Sequence, residues 1–243
     1  MLALKRFSAL TFLAATASFT NGCAAQGTQV DQTPTRRPPV IAAAGDQETT
    51  SPNPGLADPA LANKKAPDKF RVKFTTTKGD FVLEVVREWS PNGADRFYNM
   101  VDIGYFNDTA IFRAIEGFMF QFGIHGDPAV NEVWSEANFN DDPEVGKSNL
   151  PGFITFAKTG APNSRSTQLF INLGNNANLD NMGFTPFGQV IEGMEVIKKI
   201  NTEYGENDRS KDIQGDFKTQ GNAYILKEFP NLDLIKSVTL IEE

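Results

Sequence analysis

The chain of 243 residues carries one histidine, His125, and one cysteine, Cys23. Each scarcity removes a class of chemistry. Zinc sites built from His and Cys draw several such ligands together, so a centre of that kind is excluded within this chain. A lone cysteine forms no intramolecular disulfide. A Ser-His-Asp or Cys-His mechanism would have to run through His125 alone, which sits in the polar turn Gly123-Ile124-His125-Gly126-Asp127-Pro128 and reads as an exposed loop residue. Positive charge is also in deficit, with 23 Lys and Arg against 30 Asp and Glu and a net charge of −7. A nucleic-acid binder would show a basic stripe, and none is present. The expected chemistry uses no metal and no cofactor.

What is present is phenylalanine, 20 residues against 2 Trp and 4 Tyr, and it falls mostly after residue 69. A sizeable core is therefore expected in the last three-quarters of the chain. Hydrophobic residues at 40% and charged residues at 22% suit an ordinary globular domain.

Residues 1–23 read as an address. Lys5-Arg6 precede an apolar run from Phe7 to Phe19, followed by Thr20-Asn21-Gly22-Cys23. A basic start and a short apolar stretch describe an export signal. The run is shorter than the ~20 apolar residues a spanning helix needs. Cys23, just past that run, resembles the cysteine of a bacterial lipoprotein signal, although Thr20 stands where such signals usually carry Leu. Two expectations follow: lipidation at Cys23 with attachment to the periplasmic face of a bacterial membrane, or ordinary cleavage and release. Residues 24–68 hold Pro34, Pro38, Pro39, Pro52, Pro54, Pro59 and Pro67 among Ala, Thr, Gln and Asn, without apolar periodicity. That composition predicts a disordered, semi-extended linker. The folded domain is expected over 69–243.

From Phe70 the pattern changes. Phe70-Arg71-Val72-Lys73-Phe74 alternates with period two, Lys78-Gly79 marks a turn, and Phe81–Val86 completes a hairpin. Ser90-Pro91 reads as an N-cap followed by proline, opening a helix that places Ala94, Phe97, Tyr98 and Val101 at helical spacing and stops at Gly104. Short β-type runs follow at 110–115, 118–122, 153–157, 169–173 and 187–191. Gly193 opens a second amphipathic helix containing Met194, Val196, Ile197 and Ile200. The polar stretch 203–221 reads as a loop, 222–229 as a short helix, and 237–241 as a closing strand. Asp141-Asp142 beside Pro143 reads as a solvated turn. Many short strands with two separated helices predict a mainly antiparallel β-barrel.

Three blocks carry a family resemblance. Residues 109–123 read TAIFRAIEGFMFQFG, residues 152–173 GFITFAKTGAPNSRSTQLFINL, and residues 179–200 LDNMGFTPFGQVIEGMEVIKKI. Together they resemble the cyclophilins, peptidyl-prolyl cis-trans isomerases, over about residues 70–241. The resemblance implies a closed antiparallel eight-stranded barrel capped by two α-helices. It places Arg113 on the catalytic arginine and Gln121 on a substrate-binding glutamine beside it. Phe118, Met119, Phe170 and Leu179 fall on walls of the proline pocket. Ala157 and Lys158 fall where the backbone grips the peptide, and Gln168 on a second binding glutamine. Several positions depart from the pattern: Phe112 stands for a frequent histidine, Glu116 for a frequent proline, and Gly183 or Phe184 for a pocket-edge histidine. Asn178 replaces a tryptophan that contacts cyclosporin in many members, so weak cyclosporin binding is expected.

The chemistry agrees with the scarcities. Rotation about an X-Pro bond breaks no bond and must cross a barrier of roughly 18–20 kcal/mol, so neither a nucleophile nor a metal is required. The expected partners are proline-containing polypeptides, and the expected activity is isomerisation of X-Pro bonds in exported proteins. The alternatives are a proline-peptide-binding module or chaperone with little catalysis, or a purely structural envelope protein.

Overall fold

The computed structural model describes residues 52–205 and 213–241. The expected export signal over 1–23 with Cys23, residues 24–51 of the expected linker, and residues 206–212 lie outside the described residues. Along the chain come α1 (Pro54–Ala57), β1 (Lys69–Thr76), β2 (Gly79–Val86), α2 (Pro91–Asp102), β3 (Thr109–Ala110), β4 (Arg113–Ile115) and β5 (Met119–Phe122). Then follow α3 (Pro128–Trp134), β6 (Phe153–Phe156), β7 (Leu169–Asn172), β8 (Pro186–Glu192), α4 (Met194–Ile197), α5 (Ile213–Glu228) and β9 (Leu234–Ile241).

The strands form one sheet in the order β3-β9-β1-β2-β8-β6-β7-β5-β4, and every pairing is antiparallel. The β1–β2 hairpin pairs Phe74 with Phe81 and turns at Thr76–Gly79. Alternation then sends Phe70, Val72, Phe74, Phe81, Leu83 and Val85 inward, all buried. Phe74 stacks on Phe81 at 4.6 Å between centroids, and Phe97 of α2 stacks on Phe74 at 6.3 Å. The phenylalanine surplus is thus the core of the barrel.

The expected closed eight-stranded barrel is corrected to nine strands in a ladder that stays open between β3 and β4. The run 110–115, read as one strand, is broken at Ile111-Phe112. Ile111 joins the main core, whereas Phe112 packs into a second cluster with Ile213 and Phe217. These two residues turn the chain from its pairing with β9 to its pairing with β5. The sheet's two edges are joined by the covalent chain instead of by ladder hydrogen bonds.

Helices account for the other differences. Ser90 does occupy the position before α2, but its hydroxyl donates to Thr185 O and Pro186 O. The free N–H groups of the first turn go instead to Asp142, from Asn92 N at 2.7 Å and Gly93 N at 2.8 Å. Asp142 is buried and Asp141 pairs with buried Arg165 at 2.9 Å, so the pair is structural and not a solvated turn. Burial pushes the Asp142 carboxyl above its ordinary range, against the two N–H donors. The second expected helix is only the four residues of α4, although Ile200 beyond it is buried. His125 is half-buried, its ring 5.2 Å from that of Tyr105, and burial lowers its pKa.

The linker expectation is corrected over 52–68. Trp134 Nε1 donates to Gly55 O and Leu56 O, both at 3.1 Å. Lys64 N donates to Asn99 Oδ1, and Ala66 N to Asp95 Oδ1. The segment is held by its backbone groups, which composition does not register.

Candidate functional site

The site begins as a row across the sheet. Arg113 on β4 pairs with Gln121 on β5, and Gln121 pairs with Phe170 on β7. Residues directly opposite on neighbouring strands present their side chains on one face, so the three stand side by side. The alternating residues Ala114, Phe120 and Ile171 face the other way, into the core. One register shift would exchange the two sets.

Arg113 is half-buried, and its Nη1 donates to Gln121 Oε1 at 3.3 Å. Gln121 Nε2 in turn donates to Gln168 Oε1 at 2.8 Å. Ala157 N donates to Gln168 O at 2.9 Å, which ties the end of β6 to the glutamine. The guanidinium therefore stands at one end of a relay of two amides.

Beside this relay lies an apolar hollow. Met119, Phe170 and Leu179 are buried together, with Ile115, Phe118, Ala157 and Phe184 packed against them. Phe118 is held by its carbonyl, which accepts from Leu173 N at 2.8 Å, Gly174 N at 3.2 Å and Asn176 Nδ2 at 2.7 Å. This turn needs glycine at 174, because a Cβ there would lie 1.8 Å from Gly117 O. Leu179 sits on a 3-10 turn over Ala177–Met182 fixed by Asp180, which accepts from Ser148 Oγ at 2.5 Å and from Asn149 N and Nδ2 at 2.9 and 2.7 Å. Burial opposes the charge on Asp180, but these donors outweigh it and hold the carboxyl below its usual range.

All nine residues singled out in the domain, Arg113, Phe118, Met119, Gln121, Ala157, Lys158, Gln168, Phe170 and Leu179, line one cavity of about 640 Å³. The Ala157 N–H is committed to Gln168 O. Lys158 lays its Nζ 5.6 Å from the ring centre of Phe184.

Sequence reasoning passed over four further residues. Phe184, noted only as the absence of a histidine, meets Phe170 edge-on at 5.8 Å and forms part of the wall. Arg165, fully buried, donates to Gly183 O and Thr185 Oγ1 and so fixes the stretch that carries Phe184. Its signal in the sequence is only an arginine in a polar loop, which is ordinarily solvated. Gln214 and Lys218 reach the same cavity from α5. Among the described residues no group of three or more His, Cys, Asp or Glu is placed to hold a metal, and no helix is long and apolar enough to cross a membrane.

A family model, cyclophilin type peptidyl-prolyl cis-trans isomerase/CLD, matches residues 71–220. Peptidyl-prolyl cis-trans isomerase A of Dickeya dadantii (strain 3937) is 33% identical over 140 residues, covering 56% of this chain and 73% of its own. Peptidyl-prolyl cis-trans isomerase B of Escherichia coli (strain K12) is 30% identical over 136 residues, 53% of this chain and 82% of that one. The crystal structure of a Cryptosporidium parvum cyclophilin type isomerase overlays with a TM-score of 0.54 at 20% identity, covering 72% of this chain and 99% of its own, which speaks to the fold. The fold and the matched blocks define a cyclophilin-type domain. The chain belongs to the cyclophilin-type peptidyl-prolyl cis-trans isomerase family and is an enzyme of that isomerase class.

Proposed function

We propose that this hollow binds proline-containing polypeptides and that Arg113 catalyses rotation about the X-Pro bond. The observation that carries the reading is the relay Arg113–Gln121–Gln168 standing against the wall of Met119, Phe170 and Leu179. A related cyclophilin of Cryptosporidium parvum has been crystallised in the presence of the dipeptide Ala-Pro. Catalysis of this step needs tighter binding of the twisted amide than of either planar form. In the twisted state the proline nitrogen becomes pyramidal and gains a lone pair. The planar guanidinium donates to it. The apolar wall holds the pyrrolidine ring and keeps water from competing, which strengthens that hydrogen bond. Gln121 orients the guanidinium, and Gln168 with the Ala157 carbonyl anchors the peptide backbone while the carbonyl before proline swings.

The physiological role we propose is folding assistance to exported proteins. Uncatalysed isomerisation takes tens to hundreds of seconds and limits folding. The basic-apolar segment 1–23 and the placement of Cys23 support export and a lipid tether on the periplasmic face of a membrane, with cyclosporin bound weakly because Asn178 replaces tryptophan. A coupled prolyl-isomerisation assay on the full chain tests the activity; tight proline-peptide binding at a background rate would select the binding-module reading instead. Mass spectrometry of the mature N-terminus tests the anchor: a diacylglyceryl mass on Cys23 supports it, and an unmodified downstream terminus overturns it.

A further inference from the structure

α5 begins where the sequence reads as a polar loop, yet it docks firmly. Ile213 and Phe217, one turn apart, are buried with Phe112, Ile124 and Ile225. Phe217 meets Phe112 at 6.3 Å, so the residue before Arg113 is the anchor for the helix. Gly221 (φ +67) kinks α5 where a Cβ would lie 2.3 Å from Gly126 O. Beyond the kink, Asn222 N donates to Gly126 O at 2.9 Å and Asn222 Nδ2 to Asp108 O at 2.8 Å. On the α3 side, Asn131 Nδ2 donates to Lys218 O at 3.4 Å.

This anchoring fixes what the other face of the first half of α5 presents. Gln214 and Lys218, again four apart and so on one face, line the same cavity as Arg113 and the proline wall, alongside Ser135, Glu136 and Asn138 from the stretch after α3. Neither Gln214 nor Lys218 belongs to the apolar cluster. Lys218 is half-buried, and among the described residues it forms no ion pair. Lys158 and Lys218 line the cavity with Glu136, the one carboxylate among the described lining residues.

We infer that Gln214 and Lys218 form a polar subsite of the proline hollow that takes an acidic side chain flanking the proline of the client polypeptide. The inference rests on the isomerase reading of the same cavity and adds which clients it selects. A ring seated on Phe170 and Met119, with the backbone on Gln168, leaves the flanking residue to cross the relay toward α5. There the Lys218 ammonium pairs with a carboxylate and the Gln214 amide donates beside it.

The test is a peptide series with Glu, Gln or Lys at each position flanking proline, titrated into the full chain by NMR and assayed for kcat/KM. At one flanking position the Glu peptide is expected to bind about three- to fivefold tighter than the Lys peptide at low salt, the size of a partly screened ion pair. The preference is expected to fade in high salt. Lys218→Gln is expected to erase it and Lys218→Glu to invert it. Equal affinities across the wild-type series, or an unchanged preference in Lys218→Glu, would overturn the subsite. If no peptide is turned over yet the affinities show the preference, the isomerase reading fails and the subsite stands. Turnover without charge preference removes the subsite and leaves the isomerase reading in place.

Discussion

Arg113 and Gln121 face each other across the β4–β5 ladder, and the Gln121 amide joins the arginine to Gln168. Gln121 is 8% exposed, so it acts as an internal strut instead of a surface contact. Replacing it with Leu keeps the volume and removes both bonds. Gln121→Leu is expected to keep the fold, changing stability by at most about 1 kcal/mol. It is expected to lower kcat/KM about tenfold, the cost of about 1.4 kcal/mol of lost orientation. Thermal unfolding and a coupled assay measured on the same preparation check this; unchanged turnover would remove Gln121 from the mechanism.

The segment before β1 gives a second prediction. Trp134 is fully buried with its indole N–H on Gly55 and Leu56, and Gly55 packs so closely that a Cβ would lie 2.9 Å from Ile103 Cγ2. A chain starting at residue 69 exposes Trp134, strips Asn99 of its bonds to the Lys64 backbone and removes the Ala66 N–H from Asp95. Its unfolding free energy in urea is expected to fall by about 2–4 kcal/mol relative to a chain starting at 52. Equal stability would mean that the segment merely lies on the surface.

These cases show where the sequence was legible. The hairpin, the helix after Ser90 and the nine cavity residues were readable because each depends on local alternation or on short ordered blocks, and the barrel register then assembles them. Residues 52–68 were not readable, because their attachments are backbone groups meeting Trp134, Asn99 and Asp95 far along the chain. The first half of α5 was missed for a related reason, whereas its second half falls on the short helix expected over 222–229. Only Ile213 and Phe217 carry its first half onto the barrel, too few to show a periodicity within a polar stretch. The strand break at Ile111-Phe112 was invisible because both residues are apolar and bury equally well, in different clusters.

Acid stability should follow Asp95. Burial works against its charged form, but the Arg87 fork at 2.8 Å from each oxygen and the Ala66 N–H outweigh burial, and its pKa lies below the ordinary 3.8. A carboxylate with a depressed folded pKa contributes stability that is present above the ordinary value and lost as pH falls through the folded one. Asp142 acts in the opposite sense, because burial raises its pKa and its charging costs stability as pH rises. Asp95→Asn is expected to lower stability near neutral pH by about 1–2 kcal/mol and to flatten the decline below pH 3.8. Melting curves from neutral pH into that range check it; a parallel decline in both proteins would contradict the assignment.

The most direct measurement is the isomerisation rate of Arg113→Ala, with Arg113→Lys beside it, in a coupled proline-peptide assay. The alanine variant is expected to melt like the wild type, to bind the peptide still through its apolar wall, and to lose most of its turnover. Lysine is expected to restore little, since a point charge does not reproduce the planar donor. Full turnover in a folded Arg113→Ala protein would contradict catalysis by this guanidinium.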